Sequence, residues 1–329
     1  MLDSKSIVNN IFESEISFKD KAIQLFHYQY AHCEVYESWC KYLAVNRASV
    51  KDISDIPFLP IQFFKSHTVT TNKFVPEIIF ESSGTTTSIN SKHLIKDVNL
   101  YIKAFTQAFE ANYGYMEQYC VLALLPNYLE RTNSSLVYMV QHMIHKSIHA
   151  ESAFYLYDFD ALATILKQLA VSNKKVLLIG VTFALLDFVA KHNINFPNLI
   201  IMETGGMKGR GKELTKYEVH KELCKGFGVR AINAEYGMTE LLSQAYARQD
   251  GKYFPCNTMQ VFVRDEEDPL VVKSAGRGVL NIIDLANVHS CAFIATDDIG
   301  EVYADGSFEI FGRLDNSDIR GCSLLVAGI

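Results

Sequence analysis

The chain has 329 residues and a net charge of −6, with its lysines and arginines scattered rather than in runs, so it offers no electrostatic footprint for nucleic acid or an anionic membrane surface. Hydrophobic residues make up 49% and there are only seven prolines, which excludes a disordered chain and fits one large domain or two unequal ones. No stretch approaches the roughly 20 apolar residues of a membrane span, and the mixed, acidic start lacks the apolar run of a secretion signal. The expected location is therefore cytoplasmic, with no membrane span. Seven widely spaced cysteines without a Cys-x-x-Cys suggest neither a disulfide framework nor a zinc site.

Taken in chain order, Ile7, Ile11, Phe12 and Ile16, then Ala22, Ile23, Phe26 and Tyr30, keep helical spacing. The stretch DISDIPFLPIQFFKS follows, and Pro57 and Pro60 cannot continue a helix, so it reads as a packed, extended crossing segment. A helical N-terminal segment of about residues 1–70 is the expectation. Val98, Tyr101, Ile102, Phe105 and Phe109 predict a helix up to Gly114; YCVLALLP predicts a strand stopped by Pro126; Leu136 to Ile148 predicts another helix. Helical spacing returns over Ala161–Ala170 and Leu185–Ala190, with KKVLLIGV and NLIIMETGG as strands and VRAI as a further one. Uniformly apolar strands of this kind are buried on both faces, which predicts an α/β fold with mixed and parallel sheets flanked by helices. After residue 275, GVLNIIDL, CAFIAT, GEVYA and SFEIFGR read as short strands, the last two joined at Asp305-Gly306, a hairpin signal. The C-terminal portion is thus β-rich.

Five short stretches could carry chemistry. Ser82-Ser83-Gly84-Thr85-Thr86-Thr87 follows the apolar run VPEIIF; a turn of this composition can aim backbone N–H groups and hydroxyls at a phosphate, although it is equally a plain turn. It has neither the Walker A nor the GxGxxG spacing. Asn233 to Glu240 (NAEYGMTE) places the Thr239 hydroxyl and the Glu240 carboxylate beside Gly237, offering a phosphate contact and a hard oxygen for Mg2+, or a helix cap. Paired glycines at Gly205 and Gly206 would let a flat ligand approach the backbone. Asp298, in TDDIG, could hold ribose hydroxyls, and Arg313, in FGRLD, could neutralise phosphate; both are also ordinary hairpin charges. His93 follows the hydroxyl loop and could donate to an acyl phosphate or a substrate carboxylate.

The order of these stretches resembles the adenylate-forming superfamily of acyl-CoA and aryl-CoA ligases, peptide synthetase adenylation domains and luciferases. The resemblance implies an AMP-binding domain in which Ser82, Ser83, Gly84, Thr85 and Thr86 handle the phosphates of ATP and Gly205 and Gly206 line the adenine pocket. It implies further that Tyr236, beside Gly237, stacks on adenine, Thr239 touches phosphate, Glu240 binds Mg2+, Asp298 holds the ribose and Arg313 approaches it. Thr87 departs from the family, which usually has a second glycine there. More specifically, IPFLPIQFFK (56–65), LLPNYLERTNSSLVYMVQHMI (124–144) and GRLDNSDIRGCSLLV (312–326) resemble the acyl-protein synthetases of the bacterial luciferase fatty-acid reductase system, over nearly the full chain. That resemblance implies activation of a fatty acid by ATP and transfer of the acyl group to a cysteine near the carboxyl terminus. Cys322 matches it, in a tail (312–329) after an adenylation domain (1–311). The lysine-bearing lid usual beyond the Gly-Arg-x-Asp hinge is not expected here. An acyl-CoA reductase-like protein or an acyl carrier would be the onward partner. A ligase using CoA, similar to phenylacetate-CoA ligase, and a non-catalytic nucleotide-binding scaffold are the alternatives.

Overall fold

The opening periodicity resolves into three helices, α1 (Ser4–Asn10), α2 (Phe18–His32) and α3 (Glu34–Tyr42). The computed structural model describes residues 4–82, 89–126, 133–205, 214–249, 251–265 and 268–314. Helix α2 begins where the Ser17 hydroxyl accepts a hydrogen bond from Asp20 N, which satisfies one of the otherwise orphaned first-turn amides. It buries Leu25, Phe26 and Gln29 completely. The expected crossing segment is only partly extended: it carries a two-residue strand, β1 (Leu59–Pro60), and then a short helix, α4 (Phe63–Ser66), which can form because both prolines lie behind it. The first layer holds this segment by its backbone. Tyr36 Oη donates to Pro57 O at 2.7 Å and Trp39 Nε1 donates to Phe58 O at 2.9 Å.

A hairpin of β2 (Ile78–Glu81) and β3 (Lys92–Ile95) comes next, followed by the α/β body: α5 (Val98–Tyr113), β4 (Tyr119–Leu124), α6 (Ser135–Lys146), β5 (Ala153–Phe154), α7 (Phe159–Ala170), β6 (Lys175–Val181), α8 (Thr182–Val189), β7 (Ile200–Thr204), α9 (Lys216–Phe227), β8 (Asn233–Tyr236), β9 (Ala245–Ala247) and β10 (Phe254–Pro255). Its sheet runs β10-β9-β8-β7-β6-β4-β5, parallel from β8 to β5, with helices making the crossovers that parallel neighbours require. All six residues of β4 are buried, as its unbroken apolar run demands. Helix α9 starts with a capping box between Thr215 and Glu218 and ends at Gly228 in the left-handed region (φ +69°), which a side chain would resist.

The β-rich portion forms a second sheet from β11 (Met259–Arg264), β12 (Val272–Lys273), β13 (Gly276–Asp284), β14 (Phe293–Val302) and β15 (Phe308–Arg313), with β1 added in parallel along β14. Two expectations need correction. VRAI is not a strand; β8 starts one residue after it, because pairing with β7 begins at Asn233 opposite Met202. CAFIAT and GEVYA are one strand, bent rather than broken, with the register shift at Ile299/Gly300 on its β15 side. Strand β15 continues to Arg313, with Gly312 and Arg313 paired with Ile299 and Asp298.

Candidate active site

In an open α/β sheet, ligands bind beyond the carboxyl ends of the parallel strands. Here β7 ends at Thr204-Gly205 and β8 ends at Tyr236-Gly237, in register, with Thr204 opposite Glu235. Gly205 takes a left-handed φ of +73° and its carbonyl oxygen lies 3.2 Å from Thr182 Oγ1. The same Thr182 hydroxyl donates to Glu203 Oε1 at 2.6 Å, and Glu203 Oε2 lies 2.9 Å from His220 Nε2. Burial works to raise the Glu203 carboxyl, but the bonds to His220 and Thr182 outweigh it and hold it below the usual range. On the other face, Thr204 Oγ1 donates to Glu235 Oε2 at 2.7 Å. Among the described residues no cation stands beside Glu235, and burial pushes its carboxyl up to about 7 against the hydrogen bond from Thr204. A Cβ on Gly237 would lie 2.5 Å from Glu235 Oε1, so a side chain there would push that carboxylate aside.

Tyr236 joins the two sheets. Its hydroxyl donates to Asp298 Oδ2 at 2.7 Å, while Arg313 Nε lies 3.1 Å from Asp298 Oδ1. The pairing of β14 with β15 sets this geometry by placing Asp298 opposite Arg313. The Tyr236 ring meets Phe308 edge-on at 5.3 Å, and burial pushes its phenol well above the usual range. Next to Asp298, both carboxylate oxygens of Asp297 accept from Gln62 Nε2, at 2.7 and 2.8 Å. Leu314 N donates to Asp297 O at 2.7 Å, so the crossing segment and the end of β15 meet at one point.

Thr239 and Glu240 follow β8. Glu240 is 5% exposed, and burial raises its carboxyl above the usual range against a hydrogen bond from Ser91 and the charges of Arg313 and Lys65. His93 is 1% exposed, with Nδ1 2.9 Å from Thr239 O and Nε2 2.9 Å from Ser290 Oγ. Nδ1 must carry the proton it donates to the carbonyl, and burial pushes the ring down to about 4. A neutral imidazole with both nitrogens engaged is shaped to brace Thr239 rather than to donate to a substrate, which corrects the expectation that His93 faces one. The Ser82 hydroxyl, just after β2, accepts from Ser91 N at 2.9 Å.

The structure therefore brings Gly205, Tyr236, Gly237, Thr239, Glu240, Asp298, Arg313, Ser82 and His93 into one region. Ser83, Gly84, Thr85, Thr86, Thr87, Gly206 and Cys322 lie outside the described residues. Sequence reasoning missed Gln62, Thr182, Glu203, Glu235, Asp284 and Asn287. Gln62, Glu203 and Asp284 gave the one available signal, a polar residue inside a mostly apolar stretch. Among the described residues no cluster of three or more His, Cys, Asp or Glu side chains could hold a metal ion, and no helix is long and apolar enough to cross a membrane.

The fold is that of the adenylate-forming enzymes. The chain matches the ATP-bound structure of MatB from Rhodopseudomonas palustris with a TM-score of 0.53 at 16% identity, covering 74% of this chain and 49% of that one. It matches the O-succinylbenzoate coenzyme A synthetase MenE of Bacillus subtilis, in complex with ATP and magnesium ion, with a TM-score of 0.51 at 16% identity, covering 71% and 49%. The chain spans about half the length of these solved structures. A family model described as acyl-protein synthetase, LuxE, matches residues 1–328, and the chain belongs to that family of ligases. It is 25% identical over 354 residues to a long-chain-fatty-acid–luciferin-component ligase of Aliivibrio fischeri, covering 97% of this chain and 90% of the relative.

Proposed function

We propose that the protein activates a long-chain fatty acid with ATP to an acyl-adenylate and passes the acyl group to Cys322. The observation that carries this reading is the bonded set Tyr236–Asp298–Arg313 beside Thr239–Glu240, at the carboxyl ends of β7 and β8, in a member of an acyl-protein synthetase family. In the first half-reaction the acid's carboxylate attacks the α-phosphorus of ATP and pyrophosphate leaves. Asp298 takes the ribose hydroxyls, Tyr236 with Gly205 and Gly206 holds adenine, and Thr239 with Ser83, Gly84, Thr85 and Thr86 holds the phosphates.

Two anions must meet in that step, so neutralising charge at the phosphates is the main physical requirement. Mg2+ fits the donor set: Glu240 supplies one hard carboxylate, and a cation with few protein ligands is the kind that completes its shell with substrate phosphates and water. When bound there, it would offset the phosphate charge. Arg313 and Lys65 already act on Glu240 through their charge and would add to that field. In the second half-reaction the Cys322 thiolate attacks the acyl carbonyl, a thioester forms and AMP leaves. Residues 1–311 would make the adenylation domain and 312–329 the acyl-bearing tail. The onward acceptor would be an acyl-CoA reductase-like protein or an acyl carrier. We place the reaction in the cytoplasm, in line with the six free cysteines among the described residues.

Fatty-acid-dependent exchange of labelled pyrophosphate into ATP tests the first half-reaction. Exchange that requires the acid and divalent cation supports the reading. ATP binding without exchange would leave a nucleotide-binding scaffold instead.

A further inference from the structure

The first helical layer reaches the candidate site through polar side chains that are wholly buried. Gln29, on α2, and Asn287, in the loop between β13 and β14, are each 0% exposed. Gln29 Nε2 donates to Asn287 O at 2.7 Å, and Gln29 Oε1 accepts from Ala292 N at 2.9 Å, so one amide grips both arms of the loop. Asn287 Nδ2 in turn donates to Glu240 O at 2.7 Å and to Cys291 O at 3.1 Å. The same loop begins at Asp284, also 0% exposed, whose carboxylate accepts from Leu242 N at 2.7 Å and Ser243 N at 2.9 Å. His93 completes the set at Thr239 O. Three side chains from two distant parts of the chain, His93 on β3 and Asp284 and Asn287 around the loop, thus hold the main chain from Thr239 to Ser243, and Gln29 on α2 holds that loop.

Uncharged core fillers would pack these positions without the cost of burying amides and a carboxylate, a cost offset here by the bonds these groups make, with Asn287 Oδ1 alone among their polar atoms left without a partner among the described residues. The bonds here converge on one five-residue stretch, and that stretch carries the residues assigned to phosphate and cation. We propose that Gln29, Asn287 and Asp284 are positioning residues, a buried relay by which α2 fixes the backbone under Thr239 and Glu240. The proposal rests on the reading of Glu240 given above and assigns the N-terminal helices a part in setting the active site. None of the three touches a reacting atom. They act through the main chain, as outer partners that orient a ligating group do.

The test compares Asn287→Ala and Gln29→Met with wild type and with Leu166→Ala, a truncation of the α7 core chosen to lose comparable thermal stability. Gln29→Met keeps the length of the side chain and removes its amide far from the site, so it stays informative where Asn287→Ala fails to fold. Binding of Mn2+·ATP is read by electron paramagnetic resonance, beside kcat and KM for ATP in pyrophosphate exchange. Relay variants should bind Mn2+·ATP about 10- to 100-fold more weakly, with Leu166→Ala within twofold of wild type. Relay variants that lose stability but keep wild-type binding would overturn the relay while leaving the site intact. A wild type that neither binds nor exchanges would overturn the reading of the site, and the relay with it, before any substitution is made.

Discussion

Replacing Glu235 by glutamine should change how stability depends on pH, in a direction and size that follow from its surroundings. The carboxyl is buried, with Thr204 as its hydrogen-bond partner, and titrates at about 7 against an ordinary 4.5. A folded-state value above the unfolded one means that the native protein holds an extra proton between the two. The stabilisation is therefore complete below pH 4.5 and is lost as pH rises through 7. A displacement of this size is worth about 3 kcal/mol in full, of which about 2.5 kcal/mol falls between pH 5 and pH 8. His93 and His289, both pushed down to about 4 by burial, shift stability the opposite way as pH rises. They do so equally in wild type and variant, and cancel in the comparison. Glutamine still accepts from Thr204 but never ionises, so urea unfolding of Glu235→Gln should gain about 2.5 kcal/mol on wild type from pH 5 to pH 8. Parallel stability curves across that range would refute the reasoning, because they would mean that Glu235 is ionised and solvated in the folded protein.

Tyr236→Phe removes the hydroxyl that holds Asp298 Oδ2. At a net cost of about 1 kcal/mol per such bond, KM for ATP in pyrophosphate exchange should rise roughly fivefold, with kcat much less affected. Gly300→Ala would set a Cβ 2.1 Å from Glu309 O at the bulge between β14 and β15. That pair must part to accept it, so thermal unfolding should show about 1–3 kcal/mol of lost stability, with weaker nucleotide binding because Arg313 hangs from the same strand.

The sequence was legible where one rule dominates. The unbroken apolar runs of β4 and β6 could only be strands buried on both faces, and the Asp305-Gly306 turn marked its hairpin. Boundaries failed where tertiary pairing overrides local pattern: VRAI is as apolar as a strand, yet pairing starts at Asn233, and β14 passes intact through Thr296-Asp297-Asp298, which reads locally as a turn. In the site, motif residues were found because several are adjacent in sequence. The groups that hold them were not, because Gln29 lies 258 residues from Asn287 and Gln62 lies 235 from Asp297. A buried glutamine on a helix face has no local signature that tells it from an exposed one. His93 misled for the same reason, since its nearness in sequence to the hydroxyl loop said nothing of the Thr239 carbonyl 146 residues away.

The most direct test of the central claim is the intact mass of the protein after incubation with ATP, Mg2+ and fatty acids of graded length, beside Cys322→Ser. An ATP-dependent gain of one acyl group, released by neutral hydroxylamine and absent from Cys322→Ser, is the predicted result. Pyrophosphate exchange with no adduct, or an adduct that survives in Cys322→Ser, would contradict the assignment of Cys322 as the acyl carrier.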